Sequence, residues 1–267
     1  IPQQVIEKAK HLFLDYLGVA LGGHRVESTP DVLSAVRELS RGSNGCATAL
    51  GITERFPSHY AALVNGTLAH SMDFDDTHKD SLIHPGTPVF SVLIPMAEVN
   101  HKSGLDFLVA TTVGYDVIGK LGRAHGNKVH ERGFHPTATT GIFGGVAAGG
   151  RLIQLENQSL TNAFGMALSQ SAGSLQFLDN GAWNKRVHVG LSAHNSIISL
   201  TMARHNILGA SNPIEGRFGY FHLYSGDASN AKNAITDLGK DFEILKTAIK
   251  PYPCCRYNHS VIDAVTH

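Results

Sequence analysis

The stretch TATTGIFGGVAAGGRL, residues 137–152, decides the fold. It is dense in small residues: Gly141, Gly144, Gly145, Ala147, Ala148, Gly149 and Gly150. Each glycine in an isolated helix costs about 1 kcal/mol against alanine. A helix that carries so many must use the missing side chains, and the use is close approach of helix backbones in a crowded interior. Pro136, just ahead, suits the first turn of such a helix. A phosphate-binding glycine loop is the rival reading. It fails here because no Gly-Lys-Ser/Thr ending and no clear preceding strand accompany the glycines.

Working outward, the rest of the chain also reads as helix. Val5, Ala9, Leu12, Tyr16 and Val19 recur at three- and four-residue steps, and Gly22-Gly23 ends that segment. Pro30–Leu39 is a second amphipathic helix, and Ala61–His70 a third. Val89–Asn100, Leu105–Leu121, Ser159–Leu168 and Leu191–Leu208 follow, with Gly209 as the residue capping the last. Strand signals are weak and no internal repeat is visible. The expected fold class is mainly α: a large all-helical domain. Pro251 and Pro253 stop any helix running past Lys250, so a new unit begins there.

Composition narrows the function classes. Lys plus Arg and Asp plus Glu both number 22, so the formal net charge is zero and no global field draws the chain to nucleic acid or an anionic membrane. No segment offers the roughly 18–20 uninterrupted apolar residues of a membrane span. Cys46, Cys254 and Cys255 form no CxxC pair and no even set, which argues against a zinc ribbon, an iron–sulfur cluster or a disulfide framework. A reducing compartment follows, the cytoplasm or, in a eukaryote, the mitochondrial matrix. Sixteen histidines, several beside Asp, Thr, Gly or Pro, favour proton-transfer or metal chemistry. The start lacks Met, and Ser260–His267 reads as a helix cut short, so the chain is expected to be a piece of a longer protein.

Four clusters carry polar chemistry. In the first, Asp73, Asp75 and Asp76 follow an apolar helix, at the end of the helix dipole that disfavours negative charge. Something must compensate: a Lys, Arg or His nearby, or a metal. Thr77, His78 and His84 complete the group. It reads as a solvated acidic loop, as a divalent-metal site, or as a carboxylate base oriented by neighbours. In the second, His135 precedes Pro136 and Thr137, where free backbone N–H groups of a helix start favour anions. The third places Lys185, Arg186 and His188 ahead of an apolar helix, a point charge and a forked donor suited to carboxylates. The fourth holds Lys250 and Tyr252 on a stretch stiffened by Pro251 and Pro253.

These clusters, in this order, resemble the MmgE/PrpD family, whose members include 2-methylcitrate dehydratases, cis-aconitate decarboxylases and iminodisuccinate epimerases. The matching stretches are HSMDFDDTH (70–78) with HPG (84–86), GFHPTATTG (133–141), NKRVHVGLSAH (184–194) and KPYPCCRYNHSVIDA (250–264). The resemblance implies an all-helical domain over 1–248 and the start of a smaller α+β lid over 249–267, truncated here. It implies a homodimer, a carboxylic acid substrate and no metal or other cofactor. Position by position it points to Asp73, Thr77, His84, His135, Lys185 and Lys250 as catalytic residues. Arg186, Tyr252 and His78 are expected to assist substrate binding. The expected reaction is that of a hydro-lyase of the 2-methylcitrate dehydratase type, with epimerase and decarboxylase as alternatives. An inert helical scaffold is the non-enzymatic alternative.

Overall fold

Val5, Ala9, Leu12, Tyr16 and Val19 all lie buried along one face of α1 (Gln3–Gly22) in the computed structural model, which describes residues 1–266. His267, the end of the helix read as cut short, lies outside the described residues. The elements then run α2 (Thr29–Leu39), β1 (Ala47–Thr48), β2 (Arg55–Phe56), α3 (Ser58–His70), β3 (Thr77–His78), α4 (Gly86–Val99) and α5 (Gly104–His125). After the short α6 (Lys128–Glu131) come α7 (Pro136–Leu152), α8 (Asn157–Leu168), α9 (Asn184–Arg204), β4 (Thr247–Ala248) and α10 (His259–Thr266). Helix accounts for 64% of the residues and strand for 4%, so the fold is mainly α, as expected.

Two helices form the centre. Every residue of α7 except Arg151 is buried, and α7 packs on α4, α5, α8 and α9. Helix α3 is buried from Ala61 to His70 on all sides and packs on α1, α4 and α9. The small residues read in the sequence are what permits this. A Cβ on Gly66 of α3 would stand 2.8 Å from the Cα of Gly190 in α9. A Cβ on Gly190 would fall on the Leu63 carbonyl oxygen and the Thr67 hydroxyl. On α7, a Cβ at Gly144 would meet Ile118 at 2.9 Å, and one at Gly145 would strike Ser196 of α9.

Helix ends follow local chemistry. Ser103 and Asp106 form a reciprocal capping box at the start of α5. The sequence expectation for α9 is corrected at both ends. It begins at Asn184, seven residues before Leu191, so Lys185, Arg186 and His188 lie inside its first turns rather than ahead of it. It ends at Arg204, not Leu208, because Asn206 adopts φ 63° and closes a Schellman motif through Asn206 N–H to Ala203 O and Ile207 N–H to Met202 O. Gly209 therefore is not the cap. It lies against α8, where a Cβ would collide with the Asn162 carbonyl.

Strands are two short antiparallel pairs, β1 with β2 and β3 with β4. The second pair matters most: Thr77 lies opposite Ala248 and His78 opposite Thr247, which ties the late chain to the loop after α3. A buried ion cluster reinforces this tie. Glu243 accepts from His78 Nε2 at 2.9 Å and sits 3.1 Å from Arg123 and 3.4 Å from the buried Lys120 ammonium.

Gly190→Ala should lose about 1–3 kcal/mol, the usual cost of overpacking a core contact. Gly18→Ala, where nothing lies within 4 Å of the added methyl, should be neutral or gain up to about 1 kcal/mol. Urea unfolding of the two variants checks both, and equal stabilities would refute the close-packing account.

Candidate active site

The close packing of α3, α7 and α9 sets helix ends side by side. His70 is the last residue of α3, and Asp73, Asp75 and Asp76 lie in the loop beyond it. His84 stands two residues before α4, His135 is the N-cap of α7, and Lys185 and His188 occupy the first turns of α9. Three helix N-termini therefore face the acidic loop, the favourable end of the dipole for negative charge.

Each of the three aspartates has different partners. Asp73, in a left-handed conformation at φ 52°, accepts from Lys185 Nζ at 2.7 Å through Oδ2 and from Lys250 Nζ at 2.8 Å through Oδ1. Lys250 also donates to the Asp73 carbonyl. Asp75 is buried and its Oδ2 accepts from His70 Nδ1 and from Thr87 Oγ1, both at 2.7 Å. Its Oδ1 lies 3.3 Å from His84 Nδ1, off the direction of a hydrogen bond. Asp76 accepts from Tyr115 at 2.6 Å and from the Gly86 N–H at 2.9 Å. The compensation expected for these carboxylates is thus supplied by two lysines, two imidazoles and neutral donors.

Four imidazoles run beside this loop. His70 meets His84 edge-on with ring centroids 5.1 Å apart, and stacks on His135 at 5.4 Å. His135 in turn contacts His188 at 5.6 Å. His84 Nε2 lies 3.9 Å from Asp73 Oδ1, and the His84 N–H is held by Thr137 Oγ1 at 3.2 Å. A cavity of about 260 Å³ opens beside His188, lined by Ala138, Gly173, Asn184 and Ser192 among others. A larger one of about 620 Å³ lies elsewhere, between Val117, Phe164, Ile214 and Leu238, and contains none of these groups.

Burial and charge set the protonation states. For Asp73, burial raises the pKa, but Lys185, His84 and Lys250 together outweigh it and hold the carboxyl far below its usual range. Asp75 is likewise kept ionised against burial by His70 and His84. Asp76 goes the other way: burial raises it to about 7 despite the Tyr115 and Gly86 donors. His135 is pushed well below the usual imidazole value by burial, then by His70, His188, His84 and Lys185, and is neutral.

His70, Asp75 and His84 each offer a donor atom within 4.8 Å of the others, a set compatible with a divalent cation. Asp75 Oδ2 is already occupied by two donors, which leaves Oδ1 as its free oxygen.

Of the residues expected from sequence, Asp73, His84, Lys185 and Lys250 come together, and His135 joins them across His70. Thr77 is half-buried on β3 beside them in sequence, with no side-chain partner assigned. Three of the expected residues are not brought into this group. His78 points to the opposite face of β3 and is bound to Glu243. Arg186 turns away to Glu27 and Ser28, at 3.0 Å from each. Tyr252 donates to Asp263. His70 joins the group, together with Asp75 and His188 from the polar clusters. His188 was legible as the i+3 neighbour of Lys185 once the helix start is moved, and His70 as the residue closing an apolar helix against the acidic loop.

Comparison with known proteins places the chain in a family. Residues 1–232 match the MmgE/PrpD N-terminal domain. A cis-aconitate decarboxylase-like protein of Aspergillus oryzae is 27% identical, over 99% of this chain and 57% of its own length. The cis-aconitate decarboxylase of Aspergillus terreus is 27% identical over 99% of this chain and 56% of its own. That of Homo sapiens is 29% identical over 99% and 55%. The chain thus spans little more than half the length of these relatives.

Asp73→Ala leaves the buried Lys250 ammonium without its counter-ion. The expected loss lies toward the lower end of the about 3–5 kcal/mol for breaking a buried pair, read by urea unfolding; unchanged stability would dissolve the clamp. Asp76 gives a pH signature. Its folded pKa of about 7 exceeds the ordinary carboxylate value of 3.8, so the native state holds a proton that the unfolded state has lost. Wild type should therefore lose stability relative to Asp76→Asn as pH rises from about 4 to about 7, then no further. Melting temperatures of both proteins across that window test it, and a pH-independent difference would mean Asp76 titrates normally.

Proposed function

Since the chain belongs to the MmgE/PrpD family, through its N-terminal domain, we propose that it carries most of the active site of a lyase that decarboxylates a cis-aconitate-like tricarboxylic acid without a cofactor. The observation that carries this reading is the convergence of Lys185 and Lys250, far apart in sequence, on one carboxylate beside His84. Two ammonium groups against one Asp73 carboxylate leave one positive charge to receive a polyanion.

In this reading Lys185 and Lys250 hold substrate carboxylates, and Thr77 orients one of them. When the bond to the departing carboxylate breaks as CO₂, its electron pair passes to the carbon and spreads onto a neighbouring carboxylate. A fixed cation or donor aimed at that charge lowers the barrier by about 3 kcal/mol. A proton then closes the vacant carbon position. His84, between Asp73 and Asp75, is the donor, and neutral His135 accepts or holds a proton at the substrate. Asp73 keeps both lysines charged and in place.

A second reading, hydro-lyase chemistry of the 2-methylcitrate type or epimerisation, is favoured by one feature. The site has two imidazoles, His84 and His135, on separate sides of His70. A dehydratase needs one group to take the carbon-bound proton and another to protonate the leaving hydroxyl. In this reading the small lid begins at residue 249, supported by the end of β4 at Ala248 and by the exposure of Tyr257, Val261 and Val265. Homodimerisation and a reducing compartment remain part of the proposal; the latter is supported by the free thiols of Cys46, Cys254 and Cys255. Among the described residues, no helix is long and apolar enough to cross a membrane.

Proton NMR in D₂O, with the intact protein and a panel of di- and tricarboxylates, tests the reaction. Release of CO₂ with one deuteron in the product supports decarboxylation. Water loss supports the hydro-lyase, and exchange with inversion the epimerase. No turnover of any of them would favour the inert scaffold. Lys185→Ala and His135→Ala should each lower the rate at least about 10–100-fold, and near-normal turnover in a folded His135→Ala protein would remove that residue from the chemistry. Activity should survive dialysis against EDTA; loss restored by a divalent ion would overturn cofactor independence.

A further inference from the structure

Asp75 has no place in the reaction as proposed, yet it is buried, ionised and central to the imidazoles. Its Oδ2 is saturated by His70 Nδ1 and Thr87 Oγ1. Its Oδ1 and the Nδ1 of His84 are both buried and both without a hydrogen-bond partner, and they face each other at 3.3 Å. Two unpaired atoms so placed have one favourable arrangement. A bare ring nitrogen would present its lone pair to an anionic oxygen, whereas a protonated Nδ1 needs only a small rotation of the ring to donate. The rotation is cheap for the side chain because the backbone of His84 is anchored independently by Thr137 Oγ1.

We infer that Asp75 is a positioning residue that fixes the tautomer of His84, holding the proton on Nδ1 so that Nε2, 3.9 Å from Asp73, is the nitrogen that exchanges protons with the substrate. The same carboxylate fixes His70 with Nδ1–H inward, so that one buried anion orders two rings. Thr87, reaching from the first turn of α4, shares Oδ2 with His70 and leaves Oδ1 to face His84. This inference deepens the proposed function, since it rests on His84 acting in proton transfer. Its first consequence, the tautomer, is independent of which reaction is catalysed.

Long-range proton–nitrogen correlation spectra of histidine-labelled chain, at a pH of about 9 where unperturbed imidazoles are neutral, read the tautomer directly. His84 is expected as the Nδ1–H form, identified by loss of its signals in His84→Gln. An Nε2–H form in the wild type overturns the inference. Asp75→Asn should lower kcat about 10–100-fold, as outer-shell partners of a working imidazole do, with KM little changed and with His84 shifted toward the other tautomer. Thr87→Val, which leaves the His84 contact in place, should lower kcat much less. A drop in melting temperature with the tautomer and kcat intact would reduce Asp75 to a purely structural role and refute the inference. If Asp75→Asn does not fold, the wild-type spectrum alone decides. An Nδ1–H tautomer in a protein that turns over no carboxylate would sink the proposed function while leaving the positioning of His84 established.

Discussion

The distance between helix backbones is the constraint on which everything else rests. Gly66 and Gly190 let α3 and α9 touch main chain to main chain, and Gly144 and Gly145 do the same for α7 against α5 and α9. A single methyl at these points would force the axes apart, and interiors packed to crystal-like density do not absorb such a shift locally. Because the axes are fixed, so are the ends. The polar residues stand immediately beyond or within the terminal turns of those helices, and rigid elements position a constellation better than loops can.

Within that frame, three carboxylates separated by no more than three residues have been given three electrostatic fates. Asp73 meets two ammonium groups, Asp75 meets imidazoles, and Asp76 meets only a phenol and an N–H. The chemistry of the side chain is the same each time. What differs is whether the environment returns to the anion what it lost on leaving water. Asp76 does not recover it and is raised to about 7, whereas Asp73 and Asp75 stay ionised. The lack of any single role for the acidic run explains why composition alone left its meaning open.

Much of the fold was legible because burial writes a three- and four-residue period into α1, and because glycine density in α7 has few uses other than close approach. The candidate site was legible as polar clusters beside apolar helices, and the family resemblance singled out residues within them. What escaped was angular. The start of α9 depends on whether Asn184–His188 wind as helix, and a polar stretch carries no periodic signal to say so. With the helix in place, Lys185 and His188 share a face and Arg186 is turned some 100° from it, toward Glu27. His78 and Thr77 part company for the analogous reason in a strand, where successive side chains take opposite faces. Tyr252 and Lys250 are both on the proline-stiffened segment, but only the lysine lies close enough to β4 to be drawn back to Asp73.

The glycine-dependent packing also has a far side. The C-terminal ends of α4, α7 and α9, at Asn100, Ile153 and Arg204, gather with the start of α8 at Glu156 around a polar depression of about 430 Å³ with Lys102 and Asn206. Helices of fixed length carry the chemistry at one pole and hand their connections to the opposite pole. A loop there stands a full helix length away from the acidic loop. The molecule is therefore divided into a pole that gathers the ionisable groups and a pole that gathers the connections.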